Sequence, residues 1–277
     1  MISARVPSSG VRTSAPTERS APSVVVLAYL LAVVGAQLLL GSGPSRLGLA
    51  ANAVLVMGMM NEVLAGGRLD EEHDRRAVGS SPAMEAVAVL ALVPLLSLVS
   101  AAVPVAEPVP RRWAIVSVAM LLAVILVARP APVRSLATML SPASSVVPMA
   151  LGGAVLGFGA SALLGSPAAV SAADGAGAVL ATVVVLLMAG ALWELAFRGM
   201  LQLTLARAFA TSGVVSSAVV SAAAAAGSGR LGYAAVLGLT GLVSGTVVHR
   251  TGRLAGVVAA QGLFNVMLFV VAPAVLP

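Results

Sequence analysis

Cysteine is absent from this 277-residue chain, which excludes disulfides, thiolate nucleophiles and cysteine-ligated metal sites. Aromatic residues make up only 3% of the sequence, too few to favour nucleic-acid binding by base stacking. Lysine is also absent, so arginine alone supplies the positive charge behind the formal net charge of +6. The only two histidines, His73 and His249, lie in a charged loop and a predicted turn, where we expect both to be solvated.

Charged residues of both signs are scarce. They account for 9% of the chain, against about 25% in a typical soluble domain, while hydrophobic residues account for 59%. Several apolar runs exceed about 18 residues, the length that indicates a transmembrane helix. The sequence therefore predicts an all-α, polytopic helical membrane bundle with about eight to nine transmembrane helices. The arginine-only, alanine-rich composition is typical of a GC-rich bacterial genome, and we expect a bacterial plasma-membrane protein.

The apolar runs and their breaks predict three parts: a disordered tail over 1–22, N-terminal transmembrane helices over 23–135 and a transmembrane core over 136–277. The dense charge run 68–76 is predicted to be a solvated loop, with a regulatory or partner-docking loop as the alternative. The predicted helices are 24–40, 47–64, 84–106, a fourth ending near 129, 146–164, 177–209, 214–226, 231–248 and 254–271.

The arginine distribution predicts the orientation. With the N-terminus inside, about twelve of the 16 arginines fall at inner ends and loops, as the positive-inside rule requires. We therefore predict a multi-pass protein with a cytoplasmic N-terminus. The bilayer and another membrane protein are the expected partners, and nucleic acid is not.

Glu194 and Arg198 stand out because they lie inside a long apolar segment. Their i, i+4 spacing places them on one face of a helix. Ionisable groups at membrane depth are costly and usually mark function, although a self-neutralising pair that fixes helix packing is the alternative. Gln261 and Asn265 share this spacing, and other polar residues predicted to face inward are Asn61, Glu62 and Glu85.

The segment from Trp193 to Gly199 resembles the Glu-Glu-x-x-x-Arg motif of the CPBP family, the CAAX-protease and bacteriocin-processing (Abi-type) intramembrane proteases. The segments 241–245, 251–254 and 261–265 resemble the third block of that family, a glycine-rich helix followed by a turn and His-x-x-x-Asn. The resemblance covers about residues 178–270. It implies a helical membrane fold and peptide hydrolysis by a water molecule that glutamate and histidine activate.

Several positions depart from the family pattern. Trp193 replaces the first glutamate, Gln261 replaces the histidine of the third motif, and the Phe-x-x-x-His motif falls on the Ser-Ala-rich stretch 221–226. Tryptophan and alanine cannot act as general bases, and glutamine does not titrate. The resemblance thus implies that Glu194 and Asn265 are vestigial catalytic residues. It also implies that Arg198 is the structural partner of Glu194. The predicted cavity residues are Trp193, Phe197, Gln261 and Asn265; no metal site and no cofactor are predicted.

These departures predict a CPBP-like accessory or scaffold subunit, or a ligand-binding membrane protein, without proteolytic activity. We expect Asn265 or Gln261 to complete the hydrogen bonding of the buried pair, because half-satisfied networks are costly. We also expect Trp193 and the alanines to fill the former water site. One alternative is an active CAAX-type endopeptidase with altered motifs. Another is a lipid or small-molecule transporter component, although the inverted repeats typical of transporters are not evident.

Overall fold

A computed structural model describes residues 24–42, 45–73, 82–103, 109–128, 139–141, 145–165, 175–209 and 211–276. The predicted tail over 1–22 lies outside these residues. The prediction that the charged run 68–76 is a loop is wrong for residues 68–73, which continue the helix Ser45–His73. The side chains of 68–73, His73 included, and residues 74–76 lie outside the described part of the structure. The predicted boundary near residue 135 lies outside it as well.

Within the described residues the fold is entirely helical, and the predicted polytopic bundle is confirmed. Seven segments are long and apolar enough to cross a membrane, and the helix Ser212–Ala226 is shorter but also apolar. The helices are α1 (Val24–Ser42), α2 (Ser45–His73), α3 (Pro82–Leu90), α4 (Leu92–Ala102), α5 (Val109–Ala128), α6 (Val146–Leu164), α7 (Gly175–Glu194), α8 (Gln202–Phe209), α9 (Ser212–Ala226), α10 (Leu231–Thr251), α11 (Ala255–Val266) and α12 (Ala272–Val275).

Two π-helical segments interrupt the bundle. Leu195–Leu201 joins α7 to α8, and Met267–Val271 joins α11 to α12. Another irregularity separates α3 from α4 at Ala91, within the predicted third span. Pro94 lies in the first turn of α4 and has no N–H to donate to the preceding turn, which explains a break just before it.

Two hydrophobic clusters form most of the core. One is built mainly from α1, α3, α4 and the first π-helical segment, and the other mainly from α9, α10 and α11. Trp193 packs against both clusters. Because helices from 23–135 and 136–277 share the first cluster, these two parts of the chain fold around common packing.

Glycine allows α6 to approach α11 closely. A Cβ atom at Gly153 would overlap the backbone of Ala260, and one at Gly157 would overlap the backbone of Phe264. This is the contact that the small-xxx-small spacing of the two glycines predicts. The tight contact fixes the position of α11, which carries Gln261 and Asn265.

Buried polar side chains tie the N-terminal helices together. Gln37 donates to Asn52 Oδ1 at 2.8 Å and accepts from Ser97 Oγ at 2.9 Å, so α1, α2 and α4 are linked. In contrast, the prediction that Asn61 and Glu62 face inward is wrong, because both are exposed. Asn61 follows the buried Asn52 by about two and a half helical turns, which places it on the opposite face of α2.

The α6–α11 contact generates a prediction about stability. Gly153→Ala and Gly157→Ala should each lower the free energy of unfolding by about 1–3 kcal/mol, because the added methyl group forces the helices apart. Gly152 and Gly159 are matched controls on the same helix, since nothing lies within 4 Å of a Cβ atom at either position. Gly152→Ala and Gly159→Ala should leave stability unchanged or raise it by up to about 1 kcal/mol. Unfolding in mixed micelles measures the difference, and equal effects at all four positions would contradict the contact.

Candidate functional site

Glu194 and Arg198 form a buried ion pair at the junction of α7 and the first π-helical segment. Arg198 Nε lies 3.6 Å from Glu194 Oε2, and the side chains are only 1% and 2% exposed. The predicted i, i+4 pairing is therefore present in the structure. π-Helical insertions are often found at functional sites, where they reorient side chains.

Ser217 of α9 bonds to Arg198, whereas Arg198 Nε and Glu194 Oε2 form no hydrogen bond among the described residues. Arg198 Nη1 donates to Ser217 Oγ at 3.2 Å, and Ser217 Oγ donates to the carbonyl of Phe197 at 2.8 Å. The expectation that Gln261 or Asn265 would fill this role is wrong. Those two amides are engaged elsewhere, since Gln261 Nε2 donates to Asn265 Oδ1 and Asn265 Nδ2 donates to Leu186 O, both at 3.3 Å.

Glycines on α10 make room for the arginine and for a neighbouring glutamine. A Cβ atom at Gly241 would overlap Arg198 Nη2, and one at Gly245 would lie 2.7 Å from Gln202 Oε1. Gln202 Nε2 donates to the carbonyl of Gly245 at 2.8 Å. The Gly-xxx-Gly spacing of α10 thus accommodates buried polar side chains rather than serving helix contact alone.

Sequence reasoning missed Gln202 and Ser217, both buried. A signal for Gln202 was present, because it follows Arg198 by the same i, i+4 step that separates Arg198 from Glu194. Ser217 offered no such signal, since its role depends on how α9 packs against the π-helical segment.

A cavity of about 770 Å³ lies beside the ion pair, between α1, α4, α5, α7, α9, α10 and α11. The four predicted cavity residues Trp193, Phe197, Gln261 and Asn265 all line it. Ala224 and Ala225, from the stretch that replaces the Phe-x-x-x-His motif, line it too. The structure therefore brings positions of all three motif regions to one cavity.

Trp193 does not fill this cavity, so the expectation of apolar filling is wrong. The indole packs against the ring of Phe197, with ring centroids 4.4 Å apart, and both rings form part of the wall. The alanines have small side chains and also leave the space open. The space beside the ion pair is therefore an open cavity.

The described residues that line the cavity include no aspartate, glutamate or histidine. Glu194 is outside the lining and faces Arg198. His249 is exposed in the last turn of α10, and Glu85 is a partly buried residue that pairs with Arg207 at 2.7 Å. Three potential metal-ligating side chains do not cluster anywhere in the part of the chain that the structure describes. The groups available inside the cavity are amides, hydroxyls and the guanidinium groups of Arg112 and Arg230.

Removing one member of the buried pair should be costly. Glu194→Ala leaves the Arg198 guanidinium buried without its counter-charge, so we expect the free energy of unfolding to fall by about 3–5 kcal/mol. Glu85→Ala is the control. Its partner Arg207 is largely exposed to solvent, so this ion pair should contribute about 1 kcal/mol or less to the free energy of unfolding. Thermal unfolding of the purified variants in detergent compares the two. Equal losses would show that the buried pair is not a structural element.

Comparison with known proteins supports the family resemblance. Residues 175–267, about a third of the chain, match the family model described as Type II CAAX prenyl endopeptidase Rce1-like. No curated protein and no solved structure matches the chain. The matched region begins with α7 and includes the ion pair, α9, α10 and all of α11. This protein is therefore a multi-pass helical membrane protein whose C-terminal region is similar to the CAAX prenyl endopeptidases of the CPBP family.

Proposed function

We propose that this protein is a proteolytically inactive relative of the CAAX prenyl endopeptidases that acts by binding a ligand in its cavity. The observation that carries the proposal is the chemistry of the motif positions at the cavity wall. Trp193 and Gln261 line the cavity at positions where the family pattern calls for glutamate and histidine, and Ala224 and Ala225 come from the stretch near which its Phe-x-x-x-His motif would fall. In this proposal the protein is a pseudoenzyme with a cavity at its motif positions.

The position of Glu194 supports the same conclusion. General-base catalysis requires a carboxylate or imidazole within hydrogen-bond reach of the attacking water molecule. The Glu194 carboxylate is directed at Arg198 and is separate from the cavity lining. A water molecule inside the cavity would meet amide and hydroxyl groups, which hold water without deprotonating it.

The size and walls of the cavity support ligand binding. Its volume of about 770 Å³ falls within the range of about 300–1,000 Å³ that is typical of small-molecule sites. The walls combine large apolar side chains with a few polar groups, as such sites usually do. An accessory subunit that presents or stores a membrane-soluble ligand for another membrane protein fits these features.

The arginine distribution supports a place in the plasma membrane with a cytoplasmic N-terminus. In that orientation, the ends of α4 and α6 and the beginnings of α5 and α10 lie on the outer side. The cavity residues Arg112 and Arg230 then lie near the outer membrane surface.

A cleavage assay tests the absence of catalysis. The purified protein in liposomes should release no more product from a prenylated CAAX peptide than protein-free liposomes do. A catalytically intact CAAX prenyl endopeptidase, reconstituted at the same density, provides the positive control. Glu194→Gln, which keeps the shape of the side chain, should leave the background unchanged. Hydrolysis that the wild-type protein catalyses and Glu194→Gln abolishes would overturn the proposal.

A further inference from the structure

The cavity is chemically asymmetric along its length. Two arginines lie at one end, Arg112 in the second turn of α5 and Arg230 immediately before α10. Residues from the last turns of α1, α4 and α6 line the same end, namely Leu40, Ser100, Ala101 and Leu164. Because several helices begin or end there, this part of the cavity lies at one surface of the bundle.

Hydrophobic side chains form most of the deeper wall. Trp193 and Phe197 pack against each other there, and Met120 also lines the space. The deep amides of Gln261 and Asn265 are hydrogen-bonded to each other, which reduces their capacity to bind a charged group. Positive charge at one end and apolar surface along the rest match a molecule with a charged head and a hydrocarbon chain.

Arg112 and Arg230 carry the positive charge at this end of the cavity. Among the described residues, no carboxylate lies within ion-pair distance of either guanidinium. Arginine presents several N–H donors in a planar fork, which binds the oxygens of a phosphate group in a bidentate manner. Two such groups beside an apolar cavity favour an anionic head over a zwitterionic one.

We propose that the cavity binds an anionic lipid with its phosphate at Arg112 and Arg230 and one hydrocarbon chain against Trp193 and Phe197. This inference rests on the proposed binding function and names its ligand class. The cavity volume suits a single small amphiphile and not a folded partner. The bilayer supplies such lipids directly, so the ligand reaches the cavity from the membrane surface where the arginines lie.

The protein carries its own reporters of this ligand. It has only two tryptophans, Trp113 and Trp193, and both line the cavity. A Trp113→Phe variant leaves Trp193 as the single tryptophan, next to the proposed position of the hydrocarbon chain. A bromine-labelled chain that enters the cavity will therefore quench the remaining fluorescence.

The experiment titrates the full-length Trp113→Phe protein, in nonionic detergent, with three probes. Chain-brominated lysophosphatidylglycerol carries both the anion and the chain, and chain-brominated lysophosphatidylcholine carries the same chain on a zwitterionic head. Glycerol phosphate carries the anion without the chain and is added as a competitor. We expect the anionic lysolipid to quench at concentrations about tenfold lower than the zwitterionic one, a difference of about 1.4 kcal/mol, because two basic residues near a membrane surface favour an anion.

Substitution of the arginines then tests their role. In the Trp113→Phe background, Arg112→Gln with Arg230→Gln should remove the tenfold preference. Arg250→Gln with Arg253→Gln changes the net charge equally but alters exposed residues at the other end of α10, so the preference should persist. Size-exclusion profiles and melting temperatures establish that the variants are folded.

Three results would overturn the inference: equal quenching by both lysolipids, a preference that survives loss of Arg112 and Arg230, or displacement by glycerol phosphate at the lysolipid's own concentration. Each would leave the proposed absence of proteolysis intact, because that proposal is tested by peptide cleavage. Conversely, cleavage that depends on Glu194 would overturn the proposed function even if an anionic lipid binds.

Discussion

The buried ion pair between Glu194 and Arg198 is the constraint on which the rest of the site depends. Two charges at membrane depth are costly, so each needs an opposite charge and hydrogen bonds to its polar atoms. Ser217 supplies one of these bonds and Gly241 leaves the space that the guanidinium needs, while Glu194 Oε2 and Arg198 Nε form none among the described residues. The pair therefore contributes to the packing of the first π-helical segment against α9 and α10, and Glu194 is not among the residues that line the cavity.

The helical fold around the cavity is therefore distinct from the catalytic chemistry of the related proteases. The cavity and the convergence of the three motif regions do not require catalytic side chains, because close helix packing at glycine creates them. Gly153 and Gly157 hold α11 against α6, so Gln261 and Asn265 face the same space as Trp193. Under the proposed function, a chain with Trp, Ala and Gln at these positions keeps a binding site and lacks the means to activate water.

The sequence predicts the helices well, because long apolar runs and prolines mark their extent. It also predicts the Glu194–Arg198 pair and the four cavity residues, since spacing within one helix and family motifs suffice for both. The prediction that Asn61 faces inward failed because the sequence of an apolar helix gives little indication of which face contacts the neighbouring helices. In the structure Asn52, on the face of α2 opposite to Asn61, is buried.

The partner of Arg198 could not be predicted for a related reason. Gln261 and Asn265 were plausible partners by motif, yet they bond to each other and to α7, while Ser217 reaches Arg198 from α9. Likewise, the size of Trp193 suggested that it fills the site, but its contact with Phe197 places the ring along the wall. Such details depend on the packing of separate helices, which sequence periodicity does not specify.

The central claim is that the Glu194 carboxylate serves Arg198 and not a reaction in the cavity. An experimental density map of the protein in lipid nanodiscs, at a resolution that shows ordered solvent, tests this most directly. The account predicts that Glu194 faces Arg198 with no ion or ordered water between its carboxylate and the cavity. An ion or a water molecule held by Glu194 and exposed to the cavity would contradict it.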